Sequence, residues 1–141
     1  MLAKQLMKLF INTHVFLYRL TGGKIGANMR GMSVLLLTTT GRRSGKERTV
    51  PLMYIKDGTN YVIAASNGGQ DRHPGWFWNL QSNSQVKIQV EDKVMAAVAE
   101  QASPQEKSRL WKQLAQNATF FEEYQQNTTR QIPLVILQPA G

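Results

Sequence analysis

Six short runs rich in Val, Ile, Leu, Thr and Tyr constrain this chain most: SVLLLTT (33–39), RTVPLMYI (48–55), NYVIAAS (60–66), QVKIQV (85–90), KVMAAVAEQ (93–101) and IPLVILQ (132–138). Such composition suits a pleated, half-buried surface. Turn residues such as Lys56-Asp57-Gly58 separate neighbouring runs, and connections this short favour antiparallel pairing. QVKIQV alternates, which predicts one buried and one wet face, whereas SVLLLTT and YVIAAS read as buried on both sides.

Helical patterns flank these strands. Leu2, Leu6, Leu9, Thr13, Phe16, Leu17 and Leu20 follow helical spacing and Thr21-Gly22-Gly23 supplies a stop, so residues 2–20 are expected to form an amphipathic helix. Its apolar runs are far shorter than the roughly 20 residues of a membrane span. Two roles stay open for its Leu/Phe stripe: packing on the domain, or resting on an anionic membrane surface beside Lys4, Lys8 and Arg19. PGWFWNLQSN (74–83) is a second helix with Pro74 in its first turn. A third is expected over 103–124, opened by Ser103-Pro-Gln-Glu106 as a capping box. The expected architecture is α+β, mainly β with flanking helices: a small antiparallel barrel. Residues 1–24 form an N-terminal helix and linker, and 25–141 the barrel, together a single domain.

Charge narrows the partner. The net charge is +8, and Lys4, Lys8, Arg19, Lys24, Arg30, Arg42, Arg43 and Lys46 all precede Glu47, the first acid; beyond it cations and acids balance. An excess confined to the N-terminal third points to an anionic partner. Within it, TTGRRSGKER (39–48) looks like a phosphate loop but fails the nucleotide pattern. Gly41 and Gly45 are one residue too close, Glu47 stands where the metal-binding hydroxyl belongs, and a strand rather than a helix follows. The cations still suit an anion, since Arg42 and Arg43 can pair with phosphate oxygens through planar forks while Ser44 and backbone amides complete the cradle.

Other chemistries are poorly supported. Cys is absent, which removes thiolate catalysis and Cys-bound metals, and His14 and His73 are too few and too scattered for a metal site. Asp71-Arg72-His73 reads as a solvated loop before a helix. No nucleophile elbow or paired carboxylates suggest a hydrolase. Three segments instead place small or polar residues at the ends of apolar strands: TTGRRSGKER, AASNGGQDRHPGWFWN (64–79) and EEYQQNTTRQIP (122–133). Converging, they would hold a flat cofactor, with Ala64 to Gly69 allowing close backbone approach and Trp76 or Trp78 available for ring stacking as an alternative to the core.

The runs LLLTTTGRRSGKERTVPL (35–52), VIAASNGGQDRHPGWFWNL (62–80) and YQQNTTRQIPLVIL (124–137), with the leader HVFLYRLTGGKIG (14–26), resemble the deazaflavin-dependent nitroreductase family of flavin and deazaflavin oxidoreductases over nearly the whole chain. The resemblance implies a split β-barrel of the FMN-binding type that holds coenzyme F420, whose tail carries phosphate, lactate and glutamates. By position it implies phosphate and tail contacts at Arg42, Arg43, Ser44, Lys46 and Arg48, and a backbone wall along the deazaflavin ring at Pro51, Leu52 and Met53. A second wall falls at Ala64, Ala65, Ser66 and Asn67, and a third at Gly75, Trp76, Phe77, Trp78 and Asn79. Tyr124 stands at the substrate mouth, with Phe121 and Met53 in the acceptor pocket. The chain departs from the family pattern at Asn67, where members often carry Lys, and at Met53, Ala118 and Phe121, where the nitroreductase pattern has aromatic hydroxyls.

The expected function is therefore an oxidoreductase passing hydride from reduced F420 to a quinone or other conjugated or nitroaromatic acceptor, with no dedicated catalytic side chain and no metal. One alternative is an FMN-binding oxidoreductase of the same barrel, whose phosphate uses the same arginines. Another is a non-catalytic lipid- or haem-binding protein. Nucleic acid is disfavoured, because the cations have no interleaved aromatics for base stacking. A cytoplasmic protein is expected, in contact with the inner membrane face through its basic helix. Exposed strand edges suit a homodimer.

Overall fold

The computed structural model describes residues 2–140. Its elements in chain order are α1 (Leu2–Thr21), β1 (Asn28–Met29), β2 (Met32–Thr40), β3 (Glu47–Met53), β4 (Ile55–Asp57), β5 (Asn60–Ala64), a 3-10 turn (Asn67–Gly69) and α2 (Gly75–Ser82). They continue with β6 (Gln85–Val90), β7 (Lys93–Gln101), α3 (Pro104–Asn117), α4 (Phe120–Gln126) and β8 (Leu134–Pro139). All pairings are antiparallel, in the order β1-β2-β6-β7-β8-β5-β4, with β3 added on β2. This is the split β-barrel expected.

β3 and β4 were expected as one strand over 48–55. They divide at Tyr54: β3 pairs with β2 from Thr40↔Glu47 to Val34↔Met53, while β4 pairs with β5 from Ile55↔Val62 to Asp57↔Asn60. One stretch of chain thus belongs to both ends of the sheet and curls it into a barrel. Beyond Tyr54 the two arms separate, since β3 pairs only with β2 and β5 only with β4 and β8. The gap between them is the split. Pro51 fits β3 because an edge strand loses no ladder bond at a residue without an N–H.

Side-chain alternation fills three cores. On β2, Leu35 and Leu37 face the barrel interior with Ile63, Ile88, Val135 and Leu137, capped by Trp76, Phe77 and Leu80 of α2; Val34 and Leu36 face α1. On β5, Ile63 points inward and Val62 outward, to a second core with Leu134, Ile136, Leu110, Leu114 and Phe121. The two-sided burial expected of both strands is present. In β6, Val86 and Ile88 are buried and Gln85 and Lys87 exposed, as the alternation predicts.

The helix expected over 103–124 is two helices. α3 has the predicted capping box, with Glu106 N–H donating to Ser103 Oγ (3.2 Å) and Ser103 N–H to Glu106 Oε1 (3.1 Å). It stops at Asn117, whose Nδ2 turns back onto Gln113 O (2.8 Å), and Ala118 is extended (φ −156°) so that it and Phe121 both reach the second core.

α1 forms where expected, but its Leu/Phe stripe is not the face that packs. Val15 and Tyr18 bury against Val34 and Leu36, with Ile11 beside them; Leu2, Leu6, Leu9, Phe16 and Leu20 point away, from 55% exposed at Leu6 to 70% at Leu20. Tyr18 decides the face. Its hydroxyl lies 3.0 Å from Val34 O and 3.2 Å from Gln89 O and accepts from Glu91 N–H (2.7 Å), and burial raises its pKa. His14 Nε2 bonds Gly26 O (2.8 Å), and a Cβ on Gly26 (φ +95°) would stand 2.7 Å from that ring.

Candidate functional site

The split has two lips. One is the free edge of β3, where Pro51, Leu52 and Met53 are half-buried; the other is the end of β5 and the loop after it, Ala64 to Asn67. β3 runs directly into the corner at Tyr54, and β5 is brought beside it by pairing with β4 (Ile55↔Val62), which is why two walls separated in sequence lie next to each other. Leu52 packs against the interior core that holds Ile63, Ala65, Trp76 and Phe77, and Met53 and Ala64 pack against the second core. Apolar side chains thus underlie both lips.

The cationic loop caps the outer end of β3. Gly45 N–H bonds Gly41 O (2.8 Å), Gly41 N–H bonds Lys46 O (2.8 Å) and Lys46 N–H bonds Ser44 Oγ (3.2 Å), so the turn is built on its own backbone. Glu47, its one acid, pairs with Lys87 (3.3 Å). Arg43, Lys46 and Arg48 are exposed and make no ion pair among the described residues, so none of these compensates their charge. Arg42 is partly committed. Its backbone N–H and Nη1 both donate to Asn79 Oδ1 (3.2 Å each), with Gly75 O 3.5 Å from Nη1, while Asn79 Nδ2 donates to Thr39 Oγ1 (3.1 Å). Asn79 is buried and ties the loop to α2, joining the first and second predicted segments.

Of the α2 residues, Trp76 and Phe77 belong to the interior core, so a stacking role falls to Trp78 alone, which is 44% exposed and meets Phe77 and His73 edge-on. Gly75 is exposed at the start of the helix. Tyr124 is half-buried on α4, where its Oη accepts from Arg30 Nη1 (2.9 Å); the Arg30 guanidinium also covers the Phe120 ring at 3.9 Å. Phe121 is buried beneath Tyr124, edge-on at 5.8 Å, and supports it rather than presenting a surface. A Cβ on Gly69 (φ +82°) would stand 3.0 Å from Tyr124 O, so the loop after β5 sits directly on α4.

Arg130 was not among the predicted site residues. Its guanidinium donates to Gln70 O (2.8 Å), Ala65 O (3.1 Å), Ser66 O (2.8 Å) and His73 Nδ1 (2.9 Å), gathering the loop behind the second lip. Burial and the nearby Arg130 charge lower the His73 pKa, and burial lowers that of Arg130. The segment NTTR stood in the third predicted stretch, but only the fold reveals that Arg130 has four acceptors. No group of His, Asp and Glu among the described residues could hold a metal ion.

A family model described as F420H(2)-dependent quinone reductase matches residues 10–139. An F420H(2)-dependent quinone reductase of Mycobacterium tuberculosis is 40% identical over 131 residues, 90% of this chain and 88% of that protein. Among solved structures, an F420-H2 dependent reductase shares the fold with a TM-score of 0.70 at 37% identity, covering 77% of this chain and 95% of its own. Another, described as a domain-swapped dimer, has a TM-score of 0.72 at 35% identity and covers 90% of this chain and 94% of its own. Where these descriptions name an acceptor it is a quinone; none names a nitroaromatic compound.

Proposed function

The chain belongs to the F420H(2)-dependent quinone reductase family, and from that premise we propose that the split between β3 and the Ala64–Asn67 segment holds the deazaflavin ring and the cationic loop its tail. The protein is an F420-dependent oxidoreductase that reduces quinones. The observation that carries the site is the convergence on one gap of a free strand edge, a small-residue wall and cations whose only local acid is neutralised by Lys87.

The chain's residues fit the cofactor. Arg43, Lys46 and Arg48 complement a phosphate and carboxylates, and the second fork of Arg42 stays open while the first is fixed by Asn79. Leu52, with Ala65 and Phe77 of the core it packs against, would exclude water beneath a flat ring. Bound F420H2 would supply the hydride, and Pro51 to Met53 with Ala64 to Asn67 would hold its ring in place for an acceptor, so that positioning would supply much of the acceleration. Tyr124, oriented by Arg30 and backed by Phe121, has a hydroxyl available to an acceptor oxygen as charge develops there.

Titration with F420 and with FMN tests the reading. F420 is expected to bind at least about tenfold more tightly, a difference of about 1.4 kcal/mol. Equal affinities would favour the flavin.

The stripe on α1 supports a second proposal about where the acceptor is met. A helix face bearing Leu2, Leu6, Leu9, Phe16 and Leu20, on a helix that carries Lys4, Lys8 and Arg19 and no acid, suits the surface of an anionic bilayer in which lipophilic quinones reside. No helix among the described residues is long and apolar enough to cross a membrane, so attachment is peripheral. Co-sedimentation with vesicles rich in anionic lipid is expected, and its loss in a Leu6→Lys, Phe16→Lys variant that still turns over a soluble quinone. If the stripe instead seats a second copy, vesicles leave the protein in the supernatant and it sediments as a dimer.

A further inference from the structure

The loop behind the second lip is held in a shape that its own residues permit but do not fix. Asn67, Gly68 and Gly69 all have left-handed backbones (φ +48°, +63° and +82°), a succession that glycine makes feasible but that nothing in the loop's own sequence enforces. Internally the loop has Gly69 N–H to Ser66 O (2.8 Å), Gln70 N–H to Asn67 O (3.2 Å) and Asn67 Nδ2 to Arg72 O (3.0 Å). The remaining restraint comes from outside. Arg130, which follows α4, forms no ion pair among the described residues, and its guanidinium is directed at three loop carbonyls and the His73 ring. Asp71, the acid of the same loop, instead accepts from Thr128 Oγ1 (2.8 Å), a second tie between the two segments.

An arginine only donates, so His73 Nδ1 must accept, and the ring is the neutral tautomer with its proton on Nε2. A protonated imidazole has no acceptor there and would set a second cation against the guanidinium. The charged groups around His73 are Arg130 and its own neighbours Asp71 and Arg72; from α2 it meets only the rings of Phe77 (4.7 Å) and Trp78 (5.2 Å).

We propose that Arg130 is the positioning residue of the cofactor wall: its guanidinium holds the loop from Ala65 to His73 in the shape that offers Ser66 and Asn67 to the split, and it requires neutral His73 as its fourth acceptor, so that protonation of His73 loosens the wall. The inference rests on the reading of Ala64 to Asn67 as a wall of the F420 site. It makes cofactor affinity dependent on a residue that touches no cofactor.

The test is F420 binding, followed by fluorescence from about pH 5 to about pH 8, to the full-length protein and its Arg130→Lys, Arg130→Gln and His73→Phe variants. Lysine keeps the charge but cannot reach four separated acceptors, so Arg130→Lys is expected to bind F420 about tenfold more weakly at pH 8. His73→Phe keeps a ring against Phe77 and Trp78 but does not titrate. The ratio of its affinity to that of the parent is expected to rise toward the acid end of this range, as the lowered pKa of His73 is approached, a ratio from which the cofactor's own titration cancels. Parental affinity in Arg130→Lys, or a ratio constant with pH, overturns the proposal. Should Arg130→Gln fail to fold, the other two variants decide. A parent that does not bind F420 overturns the cofactor reading and the inference together; a parent that binds, with variants indifferent, overturns the inference alone.

Discussion

Arg42 and Arg43 are neighbours with different tasks, and mutation should separate them. Arg42 is fastened to Asn79 and through it to Thr39, so Arg42→Ala removes both a cation and a latch, with about 1 kcal/mol of stability lost alongside weaker F420 binding. Arg43→Ala should weaken binding and leave the denaturation midpoint unchanged. In the double variant, what binding remains should respond less to salt, because screened charge pairs have gone. Equal loss of stability in both single variants would overturn this division. Tyr18→Phe leaves the part-buried Glu91 N–H without its partner and should cost about 1 kcal/mol in chemical denaturation. His73 gives stability a pH dependence of definite sign. Its folded pKa lies below the ordinary 6.5, so the unfolded chain takes up a proton first as pH falls. The contribution is complete above about pH 6.5 and declines below it, until the folded form titrates as well. A His73→Phe variant should lose this acid-side decline in melting temperature.

Helices and strands differ in how far they could be read in advance. β2, β5 and β6 were legible because alternation or its absence reports directly which faces a sheet buries. The corner at Tyr54 was not, since RTVPLMYI stays apolar across it and the change of partner is imposed by the closing sheet. α1 shows the opposite failure: its strongest periodic stripe is the exposed one. The packing face needed the hydroxyl of Tyr18 at β2 and β6 and the compact side chain of Val15, neither of which stands out from a pattern dominated by Leu. Removing residues 1–20 should therefore destabilise the barrel by uncovering Val34 and Leu36, and a lowered melting temperature with exposed apolar surface is expected; an unchanged melting temperature would show α1 to be an accessory. α3 carries a smaller, cleaner test. Ser103→Ala removes one half of a reciprocal cap and should cost about 1 kcal/mol without affecting F420 binding.

At the scale of the molecule, the cationic third of the sequence splits into two surfaces. Lys4, Lys8 and Arg19 lie on α1, while Arg43 and Lys46 lie on the loop between β2 and β3 and Arg48 at the start of β3, so one uneven charge distribution serves two anionic partners in the proposed reading. The loop was legible because its cations are contiguous; Arg130 was not, because its four acceptors are brought together only by folding. Raising the ionic strength should weaken vesicle attachment and cofactor binding alike, whereas Lys4→Gln with Lys8→Gln should weaken only the first. The bent strand through Tyr54 adds a constraint of another kind. Because the lips diverge at one corner, β3 by continuity and β5 by its pairing with β4, like the jaws of tweezers at their joint, the width of the opening is governed at the corner and its lining at the tips. Substitutions at the tips, on the loop after β5 and along α4, can therefore retune which acceptors are taken while the barrel keeps its register, and a lineage built on this plan can diversify in chemistry without paying again for a fold.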